Sequence, residues 1–283
     1  MIGFHGKSSG GNKVGMIIDT PVQEAMDQFV VEAPSLEGGV SSMERCMEMF
    51  AEYLLHYSDL YQDDDVSDES EIQDWEAALG QYVENLFEGD AEPVADLGPL
   101  SLSNLEPEHF RDFLGWFVLR EPGITSLEVE SQGTLLLEWV KFLHDKHWLD
   151  SERYVSFLET IQETVDEAMR AAQAARLLFH YVRLGGGVSP RHRGKRFDKF
   201  VEGHARVSKL TKRSISLEFD NKKMAIGSIT LPEEITRYLK VGDVLDIELG
   251  SREGKWLIVD IGPVYPYEVY VDADEFDIPE KLS

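Results

Sequence analysis

The sequence predicts an α+β protein, with an all-helical N-terminal domain followed by a small C-terminal β-barrel. Apolar residues recur every three or four positions through the first two thirds of the chain, as on one face of a helix. After Pro190, apolar and polar residues largely alternate, as along a half-buried strand. The triplet at 185–187 is all glycine and favours the end of a helix, so it marks the change of class.

These patterns divide the chain into five segments. We expect a flexible N-terminal tail at 1–19, an acidic helical domain at 20–187, a basic linker at 188–198, a small β-barrel domain at 199–272 and an acidic tail at 273–283. The N-terminal tail is rich in Gly and Ser and lacks the apolar centre of a signal peptide.

About six helices are expected before residue 187. Thr20-Pro21 opens the first, because Thr caps helices and Pro is tolerated at the first helical position. Thr125 and Glu128 have the spacing of a capping box, and Asp150 is a good cap for a final long helix. The apolar stripes after the first helix are Met43–Tyr57, Trp75–Leu86, Phe110–Val118, Leu135–Leu143 and Tyr154–Leu178.

The C-terminal third predicts about five short strands. The alternating or apolar runs are Ala205–Leu210, Ser214–Phe219, Val244–Leu249 and Trp256–Ile261. Pro232 to Leu239 fits one or two helical turns, and Gly242-Asp243 fits a chain reversal. So many short strands in about 75 residues indicate a small barrel or a sandwich.

The charge of the chain is distributed unevenly. Residues 1–187 contain 11 Lys and Arg against 36 Asp and Glu, a net charge of -25, whereas 188–256 contain 15 against 10, a net charge of +5. The whole chain has a net charge of -26 and should repel nucleic acid and anionic membranes on average. Any contact with nucleic acid is therefore expected from the basic segment.

The cysteine content and the lack of long apolar runs predict a cytoplasmic protein with no membrane contact. Cys46 is the only cysteine, so no internal disulfide is possible and nothing requires an oxidising compartment. No apolar run approaches the ~18–20 residues of a spanning helix. Cys46 lies on an apolar helical stripe, so we expect a buried structural thiol.

Residues 226–249 resemble AbrB-type transition-state regulator domains. The shared pattern is a strand leading to Gly227, then Leu231-Pro232-Glu233-Glu234-Ile235, then Gly242-Asp243 before another strand. The resemblance implies a swapped-hairpin β-barrel that forms dimers, and many members bind DNA. Ser228 and Thr236 stand where members commonly carry Arg, although Arg237 follows.

A fainter resemblance links Phe110–Leu149 to the helical core-binding domain of tyrosine recombinases. Both have a helix rich in Phe and Leu followed by a capped helix with an aromatic stripe. The catalytic domain and the basic DNA-facing residues of those enzymes have no counterpart here. The resemblance therefore implies a helical hairpin only.

A run of cations around the start of the β-rich part is the clearest candidate site. The predicted nucleic-acid or acidic-partner residues are Arg191, Arg193, Lys195, Arg196, Lys199, Arg206, Lys209, Lys212 and Arg213, with Lys222 and Lys223 further along. Such cations suit phosphate contacts, because neutralised phosphates release counterions. The alternative is intramolecular, since a basic run beside a region of net charge -25 can dock on it.

Candidate metal sites are incomplete, and we expect no metal and no cofactor. His144 and His147 are three apart on a predicted helix, but no third ligand is evident, and capping of the helix C-terminus explains them as well. The acidic run Asp63–Glu69 lacks the glycine that an EF-hand loop needs at its sixth position.

No catalytic residue can be assigned, because the chain has neither a phosphate-binding glycine loop nor a nucleophile elbow. The sequence favours a non-enzymatic interaction or regulatory protein. Its helical domain would contact a protein partner or form a homodimer, and its barrel and linker would contact nucleic acid or an acidic partner. The alternative is an enzyme whose acid–base groups come from the acidic region.

Overall fold

A computed structural model describes residues 20–32, 40–58, 60, 97–98, 100–186, 197–219 and 224–269. A helical region ends at Gly186 and a β-sheet region follows from Phe197, so the predicted α+β class is confirmed. Outside the described residues lie both tails, the acidic run Asp63–Glu69, the stripe Trp75–Leu86 and most of the basic linker.

The helical region contains α1 Val22–Glu32, α2 Val40–His56, α3 Pro107–Asp112, α4 Ser126–Asp145 and α5 Ser151–Arg183. Pro107 opens α3 as predicted, but the stripe that follows continues as a π-helical turn, Phe113–Phe117, and a 3-10 turn. The wider π turn places Gly115 among the buried residues.

The helix ends form where local sequence chemistry places them. The Thr125 hydroxyl accepts a hydrogen bond from the Glu128 N–H at 3.3 Å, and the Thr125 N–H donates to the Glu128 carboxylate at 2.8 Å. The Asp150 carboxylate accepts from the Arg153 N–H at 2.8 Å. At the end of α5, Gly185 and Gly186 have φ angles of 110° and 56°, which glycine adopts without steric cost. The predicted capping box at Thr125, the cap at Asp150 and the glycine stop are confirmed.

Aromatic rings hold the centre of the helical region together. Phe50 of α2 lies 5.2 Å from the ring of Phe110, 5.0 Å from Phe113 and 5.8 Å from Trp139. All four side chains are fully buried. Burial of each large aromatic side chain contributes several times the thermal energy, so this cluster fixes α2, α3 and α4 against one another.

The sheet region is one five-stranded antiparallel sheet. Its strands are β1 Lys199–Thr211, β2 Ser214–Phe219, β3 Met224–Thr230, β4 Val244–Arg252 and β5 Lys255–Tyr265, and a short helix, α6 Glu233–Thr236, precedes β4. The order across the sheet is β3-β2-β1-β4-β5. Val201, Ala205 and Val207 of β1 are buried, and the residues that alternate with the buried positions are more exposed. The period-two pattern therefore corresponds to a half-buried strand, as predicted.

The predicted β-barrel is wrong, because the sheet is not closed. β3 and β5 are its two edges. The C-terminal end of α5 lies against both of them. The Tyr181 hydroxyl donates to the Thr230 carbonyl of β3 at 3.5 Å, and a Cβ on Gly186 would come within 2.9 Å of the Ile258 carbonyl of β5. The last turn of α5 and the glycines that follow it therefore contact both edge strands.

The helical and sheet regions pack closely through the end of β5. A Cβ on Gly115 would lie 2.3 Å from a methyl carbon of Val269, which follows β5 in sequence. Only a glycine allows this approach between the π turn and the residues after the sheet. The described residues contain no helix that is both long enough and apolar enough to cross a membrane.

Candidate nucleic-acid interface

Three exposed cations of the sheet region cluster at the hairpin between β1 and β2. Lys212 and Arg213 form the two-residue turn between Thr211 and Ser214. Lys209 precedes this turn, opposite Ser216, and all three cationic side chains are exposed. We call Lys209, Lys212 and Arg213 the basic hairpin tip.

Two hydrogen bonds from Leu231 and Thr236 anchor the backbone of the basic hairpin tip. The Thr236 hydroxyl, on a nearly fully buried residue of α6, donates to the Lys212 carbonyl at 2.7 Å. The Leu231 N–H donates to the Arg213 carbonyl at 2.9 Å. Because these bonds fix the turn while its side chains extend into solvent, the tip presents its charges from a defined position.

A cleft of about 520 Å³ lies beside the basic hairpin tip. Its lining includes Arg213, Tyr181, Pro232 and the acidic residues Glu233 and Glu234. Burial raises the pKa of Tyr181, so its phenol is neutral at physiological pH. Glu233 also approaches Lys212, with 3.8 Å between carboxylate and ammonium, but this pair is exposed and contributes little.

The other two described candidates, Lys199 and Arg206, lie away from the tip. Lys199 begins β1, and at ~3.3 Å per residue it lies roughly 30 Å from Lys209. Arg206 is half-buried opposite Glu218, and its guanidinium donates to the Gly242 carbonyl at 3.4 Å. The structure therefore does not gather the candidate cations into one continuous strip. Arg191, Arg193, Lys195, Arg196, Lys222 and Lys223 lie outside the described residues.

Arg237 is a further exposed cation that the sequence prediction left out. It directly follows Thr236, whose hydroxyl bonds the turn of the hairpin, so it belongs to the same end of the sheet. Its guanidinium stacks 4.8 Å from the ring of Tyr238. The family pattern with Arg after Glu-Ile could have indicated this position, displaced by one residue.

The contact between helical and sheet regions uses ion pairs of both senses, and only the pair of Lys240 with Glu167 places a cation of the sheet region on an acid of the helical region, as the predicted docking would. Arg170 of α5 forms a bidentate pair with Asp243, with N–O distances of 2.7 and 2.8 Å. Lys240 donates to Glu167 of α5 at 2.6 Å. We call Glu167, Arg170, Lys240 and Asp243 the interface network. None of its members belongs to the predicted basic run.

Within the interface network, neighbouring opposite charges favour the charged forms of Arg170 and Glu167. Burial lowers the pKa of Arg170, but the Asp243 and Glu167 carboxylates raise it by a larger amount. The pKa of Arg170 is therefore above its usual value. Burial raises the pKa of Glu167, while Lys240 and Arg170 together lower it below its usual value. In the described part of the chain, Lys199, Lys209 and Arg213 form no ion pair with the helical region.

A second group of titratable side chains lies on β1, β4 and β5. Asp246 is opposite His204, and the His204 ring lies 5.8 Å from that of Tyr265. Burial raises the pKa of Asp246, His204 lowers it and Asp260 raises it, with a net increase. Burial together with Asp246 raises the pKa of Tyr265 to about 12. A Cβ on Gly262 would meet the Asp246 carboxylate at 2.3 Å, so packing against this bare backbone explains the burial.

The remaining candidate residues have structural surroundings. Cys46 is fully buried, and burial raises the pKa of its thiol, as expected for a structural cysteine. His147 lies beyond the end of α4 with a φ of 61°, so the predicted shared helical face of His144 and His147 is wrong. His144 instead stacks on Tyr154 at 4.3 Å. The residues described here contain no group of three or more potential metal ligands.

Comparison with models of known protein families finds no family that matches the chain, and comparison with curated proteins finds no match either. Locally, the order of β3, α6, the Gly242-Asp243 reversal and β4 is the order that the AbrB-type resemblance implies. Kinship with that family stays a prediction.

Proposed function

We propose that this protein is a non-enzymatic regulatory or adaptor protein that binds nucleic acid through the basic hairpin tip, while its helical region contacts a protein partner. The observation that carries the first part is the exposure of Lys209, Lys212 and Arg213 at one hairpin whose turn is anchored. Three exposed cations at one hairpin suit contacts with successive phosphates, which release counterions on binding.

The adjoining cleft supports the same proposal. Tyr181 offers a neutral aromatic ring in the cleft that Arg213 also lines. Aromatic rings and guanidinium planes both stack on unpaired bases, at ~1–3 kcal/mol per base for an aromatic ring. We therefore favour single-stranded nucleic acid over duplex.

The interface network is consistent with this proposal, because it joins the two regions without using the basic hairpin tip. The sheet region is held to the helical region by Arg170 and Lys240 paired with Asp243 and Glu167. This contact does not involve the basic hairpin tip, whose three cationic side chains are exposed within the described part of the chain. We also propose the cytoplasm as its location, because the buried Cys46 requires no oxidising compartment.

An enzymatic function is the alternative, and the observation that favours it is the raised pKa of Asp246 opposite His204. Perturbed carboxylates mark many active sites. Here the packing of Asp246 over Gly262 accounts for the shift without a substrate. We therefore rank the binding function first.

The test is binding of a fluorescent single-stranded oligonucleotide by the full chain, followed by anisotropy. Affinity should fall about tenfold or more between ~50 and ~200 mM salt. The combined change Lys209→Ala, Lys212→Ala and Arg213→Ala should weaken binding about tenfold or more at the lower salt, because three phosphate contacts are lost. A second triple variant, Arg193→Ala, Lys195→Ala and Arg196→Ala, tests the linker.

A matched control removes the same charge elsewhere. Lys141, Arg176 and Lys255 are exposed cations away from the tip, and their combined change to Ala should leave affinity within about twofold. Equal loss in the tip and control variants would indicate a net-charge effect and contradict the proposed interface. Absence of binding by the wild type would remove the nucleic-acid function.

A further inference from the structure

Helices α1 and α2 form an open groove on the helical region that no other described element fills. Its volume is about 330 Å³, at the lower end of the ~300–1,000 Å³ typical of ligand pockets. The floor is apolar and is formed by Met26, Met47 and Ala51, with Val30 at the side. Val31 lies at its border with 82% of its surface exposed, so it adds accessible apolar area next to the floor.

The rim of the groove is acidic. Asp27 of α1 and Glu44 and Glu48 of α2 line it, all three are exposed, and no Lys or Arg is among its lining residues. Gln23 adds an amide whose N–H donates to Asp27 at 3.0 Å. The lining therefore combines apolar area with hydrogen-bond acceptors and negative charge.

We propose that this groove binds a basic amphipathic helix of a partner protein. An amphipathic helix places apolar side chains at i, i+3, i+4 and i+7 on one face, and such a face packs into an apolar groove between two helices. Lys or Arg beside that face would meet Asp27 on one wall and Glu44 and Glu48 on the other. The two acids on α2 are four residues apart, the repeat of one helical turn, so they can pair with cations at the same spacing.

The acidic rim selects against the chain's own neighbouring segment. Residues 61–96 contain 13 Asp and Glu and no Lys or Arg, so placing this segment on the rim would bring like charges together. A cationic partner gains both attraction at the rim and burial of the floor. This inference rests on the proposed role of the helical region in protein contacts, and the hairpin experiment tests the nucleic-acid part separately.

The experiment uses the full chain and two fluorescent helical peptides of about 18 residues, long enough to form a helix. Both carry the same Leu face, and their polar positions are Lys in one and Glu in the other. We expect the Lys peptide to bind at least tenfold more tightly than the Glu peptide, and salt to weaken it. The basic hairpin triple variant should bind the Lys peptide unchanged, which separates failure of this inference from failure of the nucleic-acid function.

Two variants locate the binding to the groove. Val31→Asp should weaken the Lys peptide about tenfold, whereas Leu127→Asp should not, since Leu127 is an equally solvent-facing residue of α4 outside the groove, with 72% exposure. The double change Glu44→Lys and Glu48→Lys should reverse the preference toward the Glu peptide. Its matched control is Glu159→Lys with Glu163→Lys, an exposed pair of the same spacing on α5.

Three outcomes would overturn the inference. The first is absence of binding by the wild type, and the second is equal loss in the groove and control charge reversals. The third is a wild-type dimer in sedimentation velocity that Val31→Asp dissociates, since a second copy would then be the occupant. The exposed position of Val31 makes a folding defect in its variant a small risk, and thermal unfolding of each variant verifies this.

Discussion

The Asp243 carboxylate is fully buried, and its negative charge is balanced by the Arg170 guanidinium. The Arg170 guanidinium donates two hydrogen bonds to it, and the Lys240 N–H donates a third at 2.7 Å. The same guanidinium also donates to the Tyr238 carbonyl at 2.7 Å. A carboxylate in this position is stable only as part of the whole network, because an unpaired buried charge costs several kcal/mol.

Arg170→Ala should therefore lower the free energy of unfolding by ~3–5 kcal/mol, since it leaves Asp243 charged and buried. Urea denaturation followed by circular dichroism measures this loss. Arg176→Ala is the control on an exposed site of the same helix and should change stability by less than ~0.5 kcal/mol. A loss in Arg170→Ala no greater than in the control would contradict the role assigned to the network.

Part of this network is predictable from the sequence. Gly242-Asp243 has the composition of a chain reversal, and Gly242 has a φ of 99° there. The partner of Asp243 is not predictable, because Arg170 lies 73 positions earlier on a helix whose pattern places it at the edge of the apolar stripe. Local pattern determines the turn, whereas the pair depends on how α5 packs against the sheet.

Helices α4 and α5 pack closely because Gly133 has no side chain at their contact. A Cβ on Gly133 of α4 would come within 2.1 Å of a methyl carbon of Val165 on α5. Glycine lowers helix stability by ~1 kcal/mol relative to alanine, so its presence in the middle of α4 has a local cost. The close approach of the two helices offsets that cost through burial along their shared face.

Gly133→Ala should consequently destabilise the protein, although alanine is the better helix former. We expect a loss of ~1–3 kcal/mol from overpacking against Val165. The double change Gly133→Ala with Val165→Ala should be more stable than Gly133→Ala alone, because it removes the methyl groups that clash. Thermal unfolding of both single variants and the double variant tests this, and a higher Tm for Gly133→Ala alone would contradict it.

The bounds of some strands follow from their own sequence, and those of others depend on the neighbouring strand. β2 spans Ser214–Phe219 as predicted from alternation alone. β1 begins at Lys199, six residues before the predicted start, because Gly203 interrupts the apolar series even though its backbone pairs with Ile247 of β4. Pairing with a neighbouring strand extends a strand through positions that its own side chains do not indicate.

At the scale of the whole molecule, excess negative charge opposes compaction. The net charge of -26 is concentrated in residues 1–187, which carry -25. The repulsion between exposed acids is screened by salt, with a Debye length of ~10 Å at 0.1 M. Buried pairs such as Arg170 with Asp243 are screened much less.

Raising the salt concentration from ~20 to ~200 mM should therefore increase the Tm of the wild type, since screening reduces self-repulsion. The deficit of Arg170→Ala relative to the wild type should persist at both concentrations. The deficit of Lys146→Ala should shrink, because its pair with Glu32 is partly exposed. Differential scanning calorimetry at both salts measures all three, and a fall of the wild-type Tm with salt would contradict the account.

The sequence alone determined the α+β class, the capped helices and the order of charge along the chain, because these follow from periodicity, cap chemistry and composition. Only the tertiary structure decided that the sheet stays open with α5 against both edges, that Arg170 enters the sheet region, and that the predicted cations divide between an exposed hairpin tip and more distant sites. Those features depend on contacts between residues far apart in sequence, whose distances no local pattern encodes. The groove between α1 and α2 is of the same kind, since each helix shows its stripe but not the space left beside its neighbour.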